Sequence, residues 1–251
     1  MTGSYKALNI GKKCGEHLLA SAKQLDVGLG WAFEEGGFEP IAGLSHGAAG
    51  IAWALIELSS VTGDARFLEA ALKSIDFERT LFNPVEGNWT DLRFQEKRAE
   101  LGLGTPVQWC HGAAGITLGR LMVSKYYRDQ NIEEEIRVGL DTTIREGFGG
   151  SHCLCHGDFG NLEVLLIAAK VLKDQKLKDK AYEYGTNTLF EARSKGWFCG
   201  IPQEEETPSL MLGLSGIGFG LLRLSNPERV PPVVVLGAPQ LKEERVLRLW
   251  I

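Results

Sequence analysis

The amino-acid sequence predicts an all-α fold in which buried helices form an inner ring and amphipathic helices wrap it as an outer one. Three observations carry this expectation. A glycine-framed motif opens an apolar run four times along the chain. Stretches with a single apolar face lie between those runs. Strands are scarce, the best candidate being "VPPVVVL" from Val230 to Leu236, whose prolines favour an extended tail.

Taken in order, a first helix is expected over "YKALNIGKKCGEHLLASAKQ" from Tyr5. "GLSHGAAGIAWAL" from Gly43 then supplies the first motif, and the run "IAWALIEL" from Ile51 is apolar on nearly every face, the mark of a buried helix. Gly63 suits the position just past that helix, and Asp64 suits the N-cap of the next, "DARFLEAALKSIDFERTLF". "WCHGAAGITLGRL" from Trp109 repeats the motif. The polar-faced "NIEEEIRVGLDTTIREG" follows, with Asn131 and Glu134 spaced as in a capping box. "LCHGDFGNLEVLL" from Leu154 is the third motif, with a second all-apolar run in "NLEVLLIAA" from Asn161. "KLKDKAYEYGTNTLFEARSKG" from Lys176 reads as its outer partner, and "GLSGIGFGLLRL" from Gly213 is the fourth motif. Aligned on Gly-Leu-Ser, that last motif has Gly216 at the histidine position. The motifs stand about 45–65 residues apart, within the range of repeat architectures.

Composition excludes several classes. With 44% apolar and 24% charged residues the chain is of ordinary globular type, and a net charge of −5 without a basic stripe argues against nucleic acid. No apolar run approaches the roughly 20 residues of a membrane span, and no signal segment is evident at the N-terminus, so a cytoplasmic location is expected. Five cysteines without a secretory signal argue against a disulfide framework.

The first three motifs each open an inner helix, so their polar residues are expected at one end of the ring: His46; Cys110 and His111; Cys155 and His156. Zinc favours cysteine sulfur and histidine nitrogen, and a catalytic zinc keeps three protein ligands and one open position. Cys110, Cys155 and His156 would form such a set, His111 a ligand or its support, and His46 an acid or base beside the metal. Buried thiols and satisfied core histidines are the alternative. Cys153 offers a rival chelate, Cys-x-Cys with His152 and His156, but lies outside the repeat frame. Cys14 and Cys199 are expected to pack, as are Trp53, Trp109 and Trp197.

"GLSHGAAGIAWAL", "WCHGAAGI", "CHGDFGNLE" and "GLSGIGFGLLRLSNPERVPPVVVL" resemble the LanC-like cyclases, most closely the C-terminal cyclase domain of class II (LanM-type) lanthipeptide synthetases. "TGDARFLEAALKSIDFERTLFNPVEGNWTDLR" matches that subgroup as well, and the resemblance runs from about residue 30 to about residue 238. It implies a LanC-like domain over residues 1–238 followed by a tail over residues 239–251. It also implies an α/α toroid of seven inner and seven outer helices with zinc near the axis, closing lanthionine and methyllanthionine rings in a dehydrated precursor peptide that carries a leader. Carried onto matching positions, it implies zinc ligands Cys110, Cys155 and His156, with His46 as the catalytic acid/base. His111 falls on a position that is not a ligand, so its role is support or structure. Three departures accompany the resemblance. About four of the seven repeats are present, a partial toroid. The dehydratase portion of a LanM-type synthetase is absent. Pro106 stands where some cyclases carry an arginine.

Two other functions compete. One is a non-catalytic toroid fragment that binds zinc and holds a peptide or partner. The other is an α/α-toroid hydrolase or terpenoid cyclase, whose paired carboxylates or aspartate clusters are missing here. Asp158 is the single carboxylate in the three histidine-bearing motifs and is expected to serve a helix N-terminus.

Overall fold

The computed structural model describes residues 4–32, 39–94, 100, 104–202 and 205–237; the expected tail at 239–251 lies outside the described residues. The chain divides into two compact units, Met1–Phe148 and Gly149–Ile251. Both are helical, as expected.

In the first unit, α1 (Tyr5–Ser21) starts at Ser4, whose hydroxyl accepts from the Ala7 N–H at 3.3 Å. A two-residue hairpin follows, β1 (Lys23–Gln24) against β2 (Leu29–Gly30), with Lys23 opposite Gly30. The inner helices are α2 (Ala48–Thr62) and α4 (Gly112–Val123), which pack together, and the outer ones are α3 (Ala65–Arg79) on α2 and α5 (Gln130–Glu146) on α4. A second hairpin, β3 (Phe82–Asn83) with β4 (Asn88–Trp89), precedes a 3₁₀ turn at Leu92–Phe94.

Patterning explains these roles. Every residue of α4 is buried, Thr117 and Arg120 included, as expected of an inner helix. Outer helix α5 buries Ile132, Ile136, Gly139, Leu140 and Thr143, one stripe at helical spacing. Helix α2 is less enclosed than its sequence suggests. It buries Ala48, Ala52, Leu55 and Ile56, while Trp53 is half-buried and hydrogen-bonded to Glu57. The tryptophan of the core is instead Trp89, and Trp109 and Trp197 are also half-buried.

Caps behave unevenly. Gly63 takes the left-handed conformation at φ 72°, and Asp64 accepts from Arg66 N–H at 3.0 Å. The capping box at Asn131 does not form. Asp129 is the cap of α5, accepting from Ile132 N–H at 2.7 Å, so the helix starts one residue before Asn131.

A buried ionic network ties the outer helices to the first motif. Arg120 of α4, fully buried, pairs with Glu78 of α3 at 2.9 Å and with Glu135 of α5 at 2.5 Å. The other oxygen of Glu78 accepts from Gly43 N–H at 2.8 Å and Ala49 N–H at 3.2 Å, holding both ends of the His46 turn. Gly43 adopts φ 119°, and a Cβ there would lie 2.8 Å from His111 Nδ1, so both backbone and space demand glycine.

In the second unit, inner helix α6 (Asp158–Leu172) buries its first twelve residues and packs against outer α7 (Gln175–Lys195) and inner α8 (Leu214–Ser225). Glu163 of α6 pairs with Arg223 of α8 at 2.7 Å, and Arg223 also donates to the carbonyls of Pro227 and Val230. That clamp leads into a 3₁₀ turn at Val233–Val235, so the strand candidate at Val230–Leu236 is neither a strand nor extended throughout. The prolines deny the ladder its donors, and Leu236 bends back at φ 52°.

The structure also corrects the register of the fourth motif. Leu214 N–H donates to Thr207 O at 2.8 Å, seven residues back, as Ala48 does to Ile41 and Asp158 to Ser151. Gly216 stands against the Leu210 carbonyl just as Gly50 stands against Leu44 and Gly115 against Trp109. Gly213 and Gly216 therefore frame this turn, which puts Leu212 at the histidine position and Met211 at the cysteine position. The Gly-Leu-Ser match is displaced by four residues.

Candidate functional site

Each motif is a turn that delivers two side chains just before an inner helix. In the first unit, Ser45 and Leu44 donate backbone N–H groups to the Cys110 carbonyl at 3.3 and 3.2 Å. In the second, Cys155 N–H donates to the Met211 carbonyl at 2.9 Å. Ser45 is to Cys110 as Cys155 is to Met211, so one backbone link couples successive turns in both units.

His46 is exposed, and its ring stacks on His111 at 5.7 Å between centroids. His111 is buried. Burial foremost, then the nearby Arg93 charge, pushes its pKa down to about 4, leaving it neutral near pH 7. Its ring bonds the Ala42 backbone, while Nε2 is buried and lacks a hydrogen-bond partner among the described residues. A neutral imidazole thus stacks on His46. Cys110 is buried, its sulfur 3.7 Å from Gln108 Oε1. Asn88 anchors this turn from β4: its carbonyl oxygen accepts from Ala113 N–H at 2.7 Å, and its amide donates to Thr105 and Pro106 carbonyls at 3.2 and 3.3 Å.

In the second unit Cys155 and His156 are half-buried neighbours that hydrogen-bond through their side chains. Cys153, fully buried, also bonds the His156 side chain. Those two sulfur contacts, Cys153 first, push His156 up to about 10 against the effect of burial. The surroundings of the imidazole therefore favour positive charge. Asp158 lies in the first turn of α6, where a carboxylate suits the helix dipole, as expected. It accepts from Gly149 N–H and Thr188 Oγ1, both at 3.0 Å, and burial raises it to about 6. Cys199 is buried as expected, whereas Cys14 is exposed on α1.

The structure thus groups His46, Cys110 and His111 in one unit and Cys155 and His156 in the other. Among the described residues no group of three or more His, Cys, Asp or Glu is assembled to hold a metal ion. Sequence reasoning missed Asn88 and Gly200. A Cβ at Gly200 would lie 2.5 Å from Cys153 Sγ and 2.7 Å from His156 Nε2, so this glycine backs the imidazole. Its only signal is a glycine after Cys199, remote from the motifs.

These features define a protein of paired inner and outer helices that sets thiol and imidazole groups on recurring turns. The family model described as lanthionine synthetase C-like protein matches residues 2–235, and the chain belongs to that family. It is 31% identical over 197 residues to the lacticin 481/lactococcin biosynthesis protein LcnDR2 of Lactococcus lactis subsp. lactis, covering 74% of this chain and 20% of that protein. It is 27% identical over 203 residues to the glutathione S-transferase LANCL1 of Danio rerio, covering 76% of this chain and 44% of that protein. Among solved structures, nisin cyclase aligns with a TM-score of 0.56 at 20% identity, over 75% of this chain and 47% of its own. That likeness shows the fold class, the paired-helix fold of part of an α/α toroid. The chain spans less than half the length of each of these relatives. Among the described residues no helix is long and apolar enough to cross a membrane.

The donor chemistry fits the zinc that the resemblance implies. Sulfur and imidazole are the donors zinc prefers, and the third turn presents both side by side in Cys155 and His156.

Proposed function

We propose that the chain is a zinc-dependent lanthipeptide cyclase domain that adds peptide cysteine thiols to dehydroalanine or dehydrobutyrine, closing thioether rings. The observation that carries this reading is the Cys155–His156 pair, bonded side chain to side chain on a turn within the matched family region. Cys110, Cys155 and His156 would hold the metal. When bound, zinc would supply a thiolate at neutral pH from a substrate thiol whose free pKa is about 8.5.

The protein's own groups account for the proton. Addition at the β-carbon leaves an enolate that must be protonated at the α-carbon, and exposed His46 is the donor in this reading. His111 supports it: a neutral ring stacked on His46 holds its place and adds no competing charge. The partner is a dehydrated precursor peptide with its leader, and a dehydratase must supply its dehydro residues. A cytoplasmic location agrees with reduced thiols. The relative named a glutathione S-transferase supports the coarser idea that such a site activates thiols.

The test mixes purified protein and zinc with a pre-dehydrated peptide, then counts free thiols by alkylation and mass spectrometry, because ring closure itself leaves the mass unchanged. Loss of alkylatable thiols above the spontaneous background supports the cyclase. Zinc binding without any loss would leave the non-catalytic fragment as the function. His46→Asn is expected to keep its zinc and slow the loss by about 100-fold or more, the scale of general acid–base catalysis.

A further inference from the structure

Resting on the zinc reading above, we propose that Cys153 is a positioning residue of this centre, its sulfur fixing the imidazole of His156 in the orientation a metal requires. The residue two places before the cysteine position is Gly43 in the first turn, Gln108 in the second, Cys153 in the third and Ser209 in the fourth. Where this position has a side chain, that chain turns back into its own turn. Gln108 Oε1 reaches Cys110 Sγ at 3.7 Å, and Ser209 Oγ accepts from Leu212 N–H at 3.2 Å. Cys153 makes the same kind of bond, its sulfur taking the backbone N–H of His156, three residues on.

A serine is enough for that backbone bond, as Ser209 shows. The third turn differs in having an imidazole at the histidine position, where the fourth has Leu212. The larger sulfur of Cys153 reaches the ring as well as the backbone, and it also lies 3.4 Å from Ser151 Oγ. Gly200 packs beside this contact, where a Cβ would lie 2.5 Å from Cys153 Sγ and 2.7 Å from His156 Nε2. The strand of chain that carries Gly200 is itself fastened. Gly200 N–H donates to Leu212 O at 2.7 Å, while His152 and Phe198 exchange bonds of 2.8 and 3.0 Å. The ring is bounded by a sulfur and a backbone, neither supplied by the repeat motif.

Hydrogen-bonding partners that orient a metal-binding histidine typically govern 10–100-fold in metal affinity, so Cys153→Ala is expected to weaken zinc binding by about that factor. Cys153→Ser keeps the backbone bond, as in the fourth turn, and is expected to recover part of the affinity. Cys14→Ser, on an exposed residue, is the control. The readouts are zinc affinity by competition with a chelating dye and the absorption of the cobalt-substituted protein, with circular dichroism to verify folding. Weakened affinity and shifted cobalt d–d bands, with the sulfur-to-cobalt charge-transfer intensity unchanged, support positioning. Parent-like affinity and spectra in both folded variants overturn it. So does a fall in charge-transfer intensity by one sulfur, which would make Cys153 a ligand. If the parent protein binds neither zinc nor cobalt, the zinc reading itself fails, and this inference with it.

Discussion

At the residue scale, much of the work of placing Cys110 and His111 is done by a side chain that reacts with nothing. Asn88 satisfies the Ala113 N–H at the start of α4 and two carbonyls of the approach to it. Asn88→Ala would leave buried groups without partners, and a loss of about 1–3 kcal/mol in urea unfolding is expected. The Glu163–Arg223 pair makes a stronger case. Glu163 is 1% exposed and Arg223 4%, so neither charge has water to fall back on. Glu163→Ala should cost about 3–5 kcal/mol, while replacing both partners with apolar residues of similar volume should cost far less. A double-mutant cycle checks this, and equal costs for the single and double variants would contradict it. Neither role was legible in the sequence. Asn88 lies 25 positions from Ala113 and Glu163 lies 60 from Arg223, and nothing local marks such pairs. The reactive candidates were legible because the motif puts them beside glycines whose function is local.

At the scale of elements, the alternation of buried and amphipathic runs was readable because it reflects burial directly, and Asp64 because a cap acts within its own turn. Asn131 misled because Asp129, two residues earlier, offers an equally good cap and reaches Ile132 first. The fourth motif misled because Gly-Leu-Ser recurs by coincidence, whereas the fold aligns the glycines by where a neighbouring carbonyl presses on them. That distinction gives a direct test. A Cβ on Gly216 would lie 1.9 Å from the Leu210 backbone oxygen, a contact no rotamer can relieve. At Gly63 a Cβ meets nothing within 4 Å, and only the left-handed φ of 72° opposes it. Gly63→Ala is therefore expected to cost about 1 kcal/mol, and Gly216→Ala about 3 kcal/mol or more, or to prevent folding. Similar denaturation midpoints for the two would mean that the glycine register assigned to the fourth turn is wrong.

At the scale of the whole molecule, the proposed metal centre is the feature least accessible to sequence pattern. Turn geometry is local and writes itself into glycine spacing, but whether donors 45 positions apart, Cys110 and Cys155, hold one ion depends on the packing of everything between. Cys110 belongs to one compact unit, and Cys155 and His156 belong to the other. If these three residues hold one ion, binding is linked to global stability by mass action. Zinc at about 1,000 times its dissociation constant would add about 4 kcal/mol. For a chain of this length each kcal/mol moves the midpoint by roughly 2–4 °C, so zinc is expected to raise Tm by roughly 8–16 °C and a strong chelator to reverse it. Cys110→Ala and Cys155→Ala should each abolish the shift, since losing a ligand from either unit breaks the same site. Cys14→Ser should retain it. A shift that survives Cys110→Ala but not Cys155→Ala would assign the metal to donors of the second unit alone, and Cys110 would no longer count among its ligands.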